Sequence, residues 1–307
     1  MAKADLTGLG KLSDDEAREK LEALRWPSGT ICPKCGAVGE SYKIESLRRS
    51  STRKGLWRCR ACKSQFTVTV GTIFEDSHIP LSKWLLAIHL LCASKKGMSA
   101  HQLHRMLGVT YKSAWFMAHR IRFAMSQPPL IDKLRGIVEA DETFVGGKPA
   151  NRHVKKREPA PDKIPVMALV ERGGKVRSFK VPNVTGDTLK GAIREHVDRS
   201  AKLMTDGHLS YKGLDKEFAG HEAVNHHADE YVRGEAHTNT VEGYFSLLKR
   251  GIIGTYHHVS GQHLPRYLAE FDQRWNTRKA TDAERATLAT QGTAGKRLTY
   301  KPLVNRG

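Results

Sequence analysis

Residues 237–260 read HTNTVEGYFSLLKRGIIGTYHHVS. Thr238 or Asn239 can cap a helix here, and Val241, Phe245 and Leu248 recur at helical spacing. On such a helix Glu242 and Lys249 stand two turns apart along one face, with Asn239 one turn before Glu242. A carboxylate, an amide and a lysine in one row suit a solvated surface. They equally suit one wall of a metal site that handles phosphate. The segments around the stretch decide between the two.

Upstream the pattern is mixed α/β. Gly136–Val145 (GIVEADETFV) reads as an alternating strand with Glu139, Asp141 and Thr143 on one parity. The loop Gly146–Pro165 carries Lys148, Arg152, Lys155, Lys156 and Arg157, expected to contact DNA. Val166–Glu171 and Val176–Val181 are strands joined by Gly173-Gly174, a hairpin signal. A helix at Asp187–Val197 follows, then a strand, Lys202–Thr205, that runs into Asp206-Gly207-His208. Ala223–His226 is a candidate fifth strand, and Gln262–Arg274 is a second helix beyond the quoted one. Three strands, a helix, a strand, a further strand and closing helices are the order of a ribonuclease-H-like (retroviral-integrase-like) α/β core.

That order gives three acids a common destination. Asp141 lies near the end of the first strand and Asp206 just after a later one. Glu242 follows with 35 residues between it and Asp206. Acids at strand ends project into a crevice at the sheet edge. Two of them with a third from a packed helix make an oxygen cage for hard cations. Phosphodiester chemistry uses such a cage, because two Mg²⁺ (or Mn²⁺) ions about 4 Å apart activate the attacking oxygen and stabilise the leaving one. Glu139, Glu142 and Asp187 are read as surface acids without a part in it.

The N-terminal part has a different vocabulary. Ser13–Leu24 is a short amphipathic helix with a Ser cap and an acidic first turn. Cys32-Pro-Lys-Cys35 and Cys59-Arg-Ala-Cys62 are two knuckles whose spacing suits one tetrahedral four-thiolate structural zinc. The insert between them is basic, with Arg48, Arg49, Arg53 and Lys54 expected against phosphate. Residues 80–125 are helical, and Cys92 falls in the apolar stripe of Leu81, Trp84, Leu85, Ile88 and Leu91. Ser99 caps a helix that Gly108 ends, and Thr110 caps the next. This helix-turn-helix outline turns Tyr111, Lys112 and Ser113 toward DNA.

In the whole chain of 307 residues, Lys plus Arg is 51 and Asp plus Glu 32, a formal net charge of +19. That excess favours a polyanionic partner, above all nucleic acid. No run of eighteen apolar residues exists, and the N-terminus lacks the apolar core of a secretory signal. No membrane partner is expected, and the expected location is cytoplasmic, bacterial and nucleoid-associated.

Several motifs together resemble one family. LEALRWPSG-x2-CPKCG, WRCRACKSQFTVTVGTIFEDSHIPLSKWL, VEADETFVGGK, TDGHLSY, the quoted stretch and HLPRYLAEFDQRWNTR are similar to the zinc-ribbon, ISXO-like bacterial insertion-sequence transposases. The likeness runs from about residue 13 to 280. It implies a D-D-E-K signature of Asp141, Asp206, Glu242 and Lys249. The three acids would be the ligands of two Mg²⁺ or Mn²⁺ ions, and Lys249 would steady DNA phosphate; Asn239 and His208 would be supporting residues. It further implies cleavage at terminal inverted repeats in double-stranded DNA, strand transfer to target DNA, and a homodimer or higher multimer on DNA. The expected organisation is an N-terminal helix (1–28), the zinc ribbon (29–79), the helix-turn-helix-like region (80–127), the catalytic domain (132–280) and a C-terminal tail (281–307). The competing reading is a catalytically inactive, transposase-derived DNA-binding regulator.

Overall fold

The computed structural model describes residues 10–44, 54–126, 132–146, 163–224, 230 and 232–300. The chain divides into two compact units, Met1–Met125 with Lys279–Gly307, and Ser126–Arg278.

In the first unit, α1 (Asp14–Arg25) starts on a capping box between Ser13 and Glu16 and buries Ala17 and Leu21. A three-stranded antiparallel ribbon follows: β1 (Ser41–Lys43), β2 (Trp57–Cys59) and β3 (Gln65–Phe66). Trp26, at the end of α1, meets Trp57 and Phe66 edge-on, and the Trp57 indole donates to Glu22. Helix α2 (Leu81–Ala93) buries Leu81, Trp84, Leu85, Ile88, Leu91 and Cys92, so the stripe read from sequence is the core. Helices α3 (Ala100–Leu107) and α4 (Tyr111–Met125) flank a turn in which Gly108 is left-handed at φ 59°. Only glycine adopts that φ without strain. All these helices and the ribbon share one apolar core.

That core has a member the sequence reading leaves in a tail. Asp282–Gln291 is a helix with its own capping box between Thr281 and Glu284, and Ala289 enters the core of the N-terminal unit. The segment after it is held as well: Thr72 bridges to Ala294, and buried Arg120 donates to the carbonyls of Leu298 and Ile73 at 2.8 and 2.6 Å.

The second unit is a five-stranded mixed sheet in the spatial order Val176–Lys180, Ile164–Glu171, Ile137–Val145, Lys202–Asp206, Gly220–Val224. β4 (Ile137–Val145), β5 (Ile164–Glu171) and β6 (Val176–Lys180) form an antiparallel meander. The β5–β6 turn uses Gly173 at φ 72°. Ile164 and Pro165, read from sequence as loop, already pair with Val145 and Phe144. After α5 (Gly186–His196) the chain adds β7 (Lys202–Asp206) parallel to β4, then β8 (Gly220–Val224) parallel to β7. The fifth strand therefore exists but begins three residues before the expected Ala223. Helices α6 (Asn239–Gly251) and α7 (Leu264–Asn276) complete the unit.

Alternation along β4 sorts the two faces. Val138 and Ala140 pack with Leu189 and Ile193 of α5 on one side. On the other, Val145 joins Val241, Phe245 and Leu248 of α6 and Leu268 and Phe271 of α7. This is a ribonuclease-H-like α/β sheet between helical layers.

Candidate active site

β4 and β7 run parallel in a register that pairs Ala140 with Thr205. Asp141 and Asp206 are the next residues on their strands, so the backbone sets them side by side where β7 ends. Asp141 itself is the fifth of nine residues in β4, not near the strand end as read from sequence, because β4 runs on to Val145 against β5. The Asp141 side chain is half-buried, and its Oδ1 accepts the Glu142 amide at 2.7 Å. Asp206 Oδ1 accepts the His208 amide at 3.1 Å, which folds Gly207 and His208 back over the strand end.

Helix α6 brings the third acid. Glu242 is exposed on its first turn, and the Thr238 hydroxyl donates to Glu242 Oε1 at 3.0 Å. The carboxyl of Asp141 is pushed up to about 7, first by burial and then by the charges of Glu142, Asp206 and Glu242, against the pull of the Glu142 amide. A carboxyl raised in this way by burial and by neighbouring acids favours a bound cation or a retained proton.

Of the three acids read from sequence as surface residues, Asp187 is exposed, but Glu139 and Glu142 are covered. Glu139 is fully buried, bonded to Arg172 and to the start of α6. Glu142 is half-buried on the opposite face of β4 and accepts the Tyr211 hydroxyl; burial raises its carboxyl, and the charge of Asp206 adds to this. Asp187 lies in the first turn of α5, where its charge suits the helix end. One sequence signal pointed at Glu139: it shares strand parity with Asp141, hence the same covered face. Tyr211, Arg172 and Thr238 left no such mark.

The remaining expected residues divide. Lys249 is exposed in the last turn of α6, seven residues beyond Glu242. Asn239 is exposed as the first residue of α6, and the cap position belongs to Thr238. His208 is exposed, and its Nδ1 accepts the Ser210 amide at 3.3 Å, capping a short 3-10 turn. Tyr111 and Lys112 are exposed at the start of α4, Tyr111 stacked on His101 at 4.2 Å. Ser113 is half-buried, its amide donating to Thr110 Oγ1. Lys54 is ion-paired with Asp15 at 2.7 Å. Arg48, Arg49, Arg53, Lys148, Arg152, Lys155, Lys156 and Arg157 lie outside the described residues.

The sulfur site is far tighter. The Sγ atoms of Cys32, Cys35, Cys59 and Cys62 all lie within 4.8 Å of one another, and none of these cysteines is in a disulfide. Cys32 to Cys62 is 3.6 Å and Cys35 to Cys59 3.7 Å. The edge of a tetrahedron with Zn–S bonds of about 2.3 Å is about 3.8 Å, so the thiols fit one zinc. Their protons are already uneven: the Ser64 hydroxyl and amide draw Cys62 down to about 6, whereas Cys35 is pushed up to about 12 by its neighbour thiols against the Ala37 amide. Among the described residues no other group of three or more candidate ligands closes in this far.

Comparison with known proteins falls on the same two sites. Residues 12–65 match the transposase zinc-ribbon domain, and residues 133–276 match the ISXO2-like transposase domain. The second match contains Asp141, Asp206 and Glu242. A protein of Halobacterium salinarum, described as an uncharacterized protein in transposable element ISH50, is 31% identical over 279 residues, covering 86% of this chain and 91% of the relative. The chain belongs to the ISXO2-like transposase family. The four thiols of this ISXO2-like transposase all lie within its zinc-ribbon match. Among its described residues no helix is long and apolar enough to cross a membrane.

Proposed function

We propose that this transposase binds the terminal inverted repeats of an insertion sequence and catalyses metal-dependent strand cleavage and strand transfer through Asp141, Asp206 and Glu242. The observation that carries this reading is the convergence of the three acids where β7 ends beside β4; there burial and the neighbouring negative charges raise Asp141 to about 7. An all-oxygen donor set of this kind fits a hard divalent cation. Bound Mg²⁺ or Mn²⁺, two per site, supplies activation of the attacking oxygen and stabilisation of the leaving one.

The chain's own residues do the rest. Asp141 and Asp206 present oxygens from the rigid sheet, and Glu242 adds one from α6. Lys249, exposed farther along that helix, steadies a DNA phosphate as a point charge. The charge of +19, the zinc ribbon and the exposed Tyr111 and Lys112 supply DNA attachment. The order of reaction is then hydrolysis at the element end, followed by attack of the freed 3′-hydroxyl on target DNA. Synapsis of two ends calls for a dimer or higher multimer.

The test is nicking of terminal-repeat DNA with Mg²⁺ or Mn²⁺. Asp206→Asn lowers it by about 10²–10³-fold or more while DNA binding persists. Equal nicking by the variant overturns the assignment. A wild-type chain that binds the repeats but never nicks is instead the inactive regulator.

A further inference from the structure

We propose that Glu139 is a positioning residue for the acid site: it caps α6 from the neighbouring strand and thereby commits Thr238 to holding Glu242. The proposal rests on the reading of Asp141, Asp206 and Glu242 as metal ligands.

A threonine at a helix N-cap ordinarily accepts the amides of the second or third helical residue. Thr238 occupies that position, yet its side chain makes no cap bond. The amides it would serve, Thr240 and Val241, both donate to Glu139 Oε2, at 2.7 and 2.9 Å. The Thr240 hydroxyl donates to Glu139 Oε1 at 2.7 Å. A full negative charge at the helix N-terminus also meets the positive end of the helix dipole. With the cap supplied from β4, the Thr238 hydroxyl turns one helical turn forward and donates to Glu242 Oε1.

The remaining partners tie the approach to the helix. Arg172 Nε donates to Glu139 Oε1 at 2.6 Å, and its Nη2 donates to the His237 carbonyl at 3.0 Å. His237 Nδ1 stands 3.3 Å from the same Glu139 oxygen. Glu139 is fully buried, where an unpaired carboxylate would be strongly destabilising. It is also two residues before Asp141 on one face of one strand. The carboxylate that anchors α6 and the carboxylate that faces Glu242 therefore share a rigid backbone, about 7 Å apart along it. Sliding α6 along the sheet, and Glu242 with it, requires breaking every bond to Glu139. A brace serving folding alone would not need Thr238 turned to the Glu242 carboxylate.

The experiment titrates Mn²⁺ into the zinc-loaded full chain, reading free Mn²⁺ by electron paramagnetic resonance, with Asp206→Asn as the site-dead reference. Hydrogen exchange at the Thr240 and Val241 amides is followed in parallel. Glu139→Gln weakens Mn²⁺ binding by about 10- to 100-fold and accelerates exchange at both amides. Thr238→Val weakens Mn²⁺ binding without accelerating exchange, and Thr238→Ser restores it. Should Glu139→Gln fail to fold, the Thr238 pair still decides. If either Glu139→Gln, folded, or Thr238→Val binds Mn²⁺ as tightly as a Mn²⁺-binding wild type, this inference alone is overturned. A wild type that binds no more Mn²⁺ than Asp206→Asn overturns the metal-site reading and this inference together.

Discussion

In the N-terminal unit the sulfurs of four cysteines already stand 3.6 and 3.7 Å apart in crossed pairs, close to the edge of a zinc tetrahedron. In the second unit Asp141, Asp206 and Glu242 do not close to that degree, and burial with the neighbouring charges raises the Asp141 carboxyl. Both clusters suit metal, but in different senses. The thiols use every ligand position on themselves, as a structural site does. The carboxylates are proposed to serve chemistry on DNA, which requires open positions for phosphate and water. The scaffolds differ accordingly: tight turns of a small ribbon around the sulfurs, and a strand-to-helix clamp around the acids.

The largest way to break this contrast is to remove the zinc. A structural zinc contributes on the order of 10 kcal/mol to folding. Strong chelation, or Cys59→Ser, is expected to release one zinc per chain and melt the ribbon. Metal analysis with a thermal scan checks this, and unchanged melting after zinc loss would make the sulfur site dispensable. The corresponding change at the acid site, Asp206→Asn, is expected to abolish nicking of repeat DNA and leave the melting temperature unchanged or higher, since it relieves repulsion at Asp141.

A smaller effect separates a carboxyl that belongs to the acid site from one that does not. Asp272 on α7 is held at about 7 by burial, although Tyr244 and Ser178 donate three hydrogen bonds to it. Its folded value lies above the unfolded one near 3.8, so the unfolded chain releases this proton first as pH rises. The Asp272 contribution to stability therefore falls between about pH 4 and 7, by a few kcal/mol, and is flat above. Asp272→Asn should flatten that part of a denaturation-versus-pH curve, with no change in Mn²⁺ binding. A curve identical to wild type would show that Asp272 does not titrate in this range.

The smallest effect lies in the first unit. Exposed Lys112 neutralises one phosphate in the proposed DNA complex, and its Nζ sits 4.7 Å over the Tyr300 ring. Lys112→Ala should reduce the slope of log affinity against log salt by about 0.9 and weaken repeat binding a few-fold. An unchanged slope from filter binding across salt would take the helix-turn-helix out of the interface.

Residue pattern by itself determined much of this. The CxxC knuckles declared a ligand set because a zinc knuckle is local: each pair of sulfurs comes from one turn. The order of strands and helices, and Asp206 at a strand end, were legible because alternation and helical period are written along the chain. That β4 continues past Asp141 to Val145 was not, because its second half is held by pairing with β5. The helix Asp282–Gln291 lies in the stretch expected as a tail, although its Thr281–Glu284 capping box is a local signal that the sequence reading overlooked. What no local pattern carries is which distant groups meet. Glu139 looks in sequence like any acid on a strand; its burial depends on α6 landing over it about a hundred residues later. Asn239 and Thr238 were interchangeable caps by propensity. A carboxylate from β4 took the cap, leaving Thr238 to Glu242 and Asn239 to solvent. Sequence named the three acids, and the tertiary fold decided what holds the third in place, because a buried charge finds its partners only once the layers have packed.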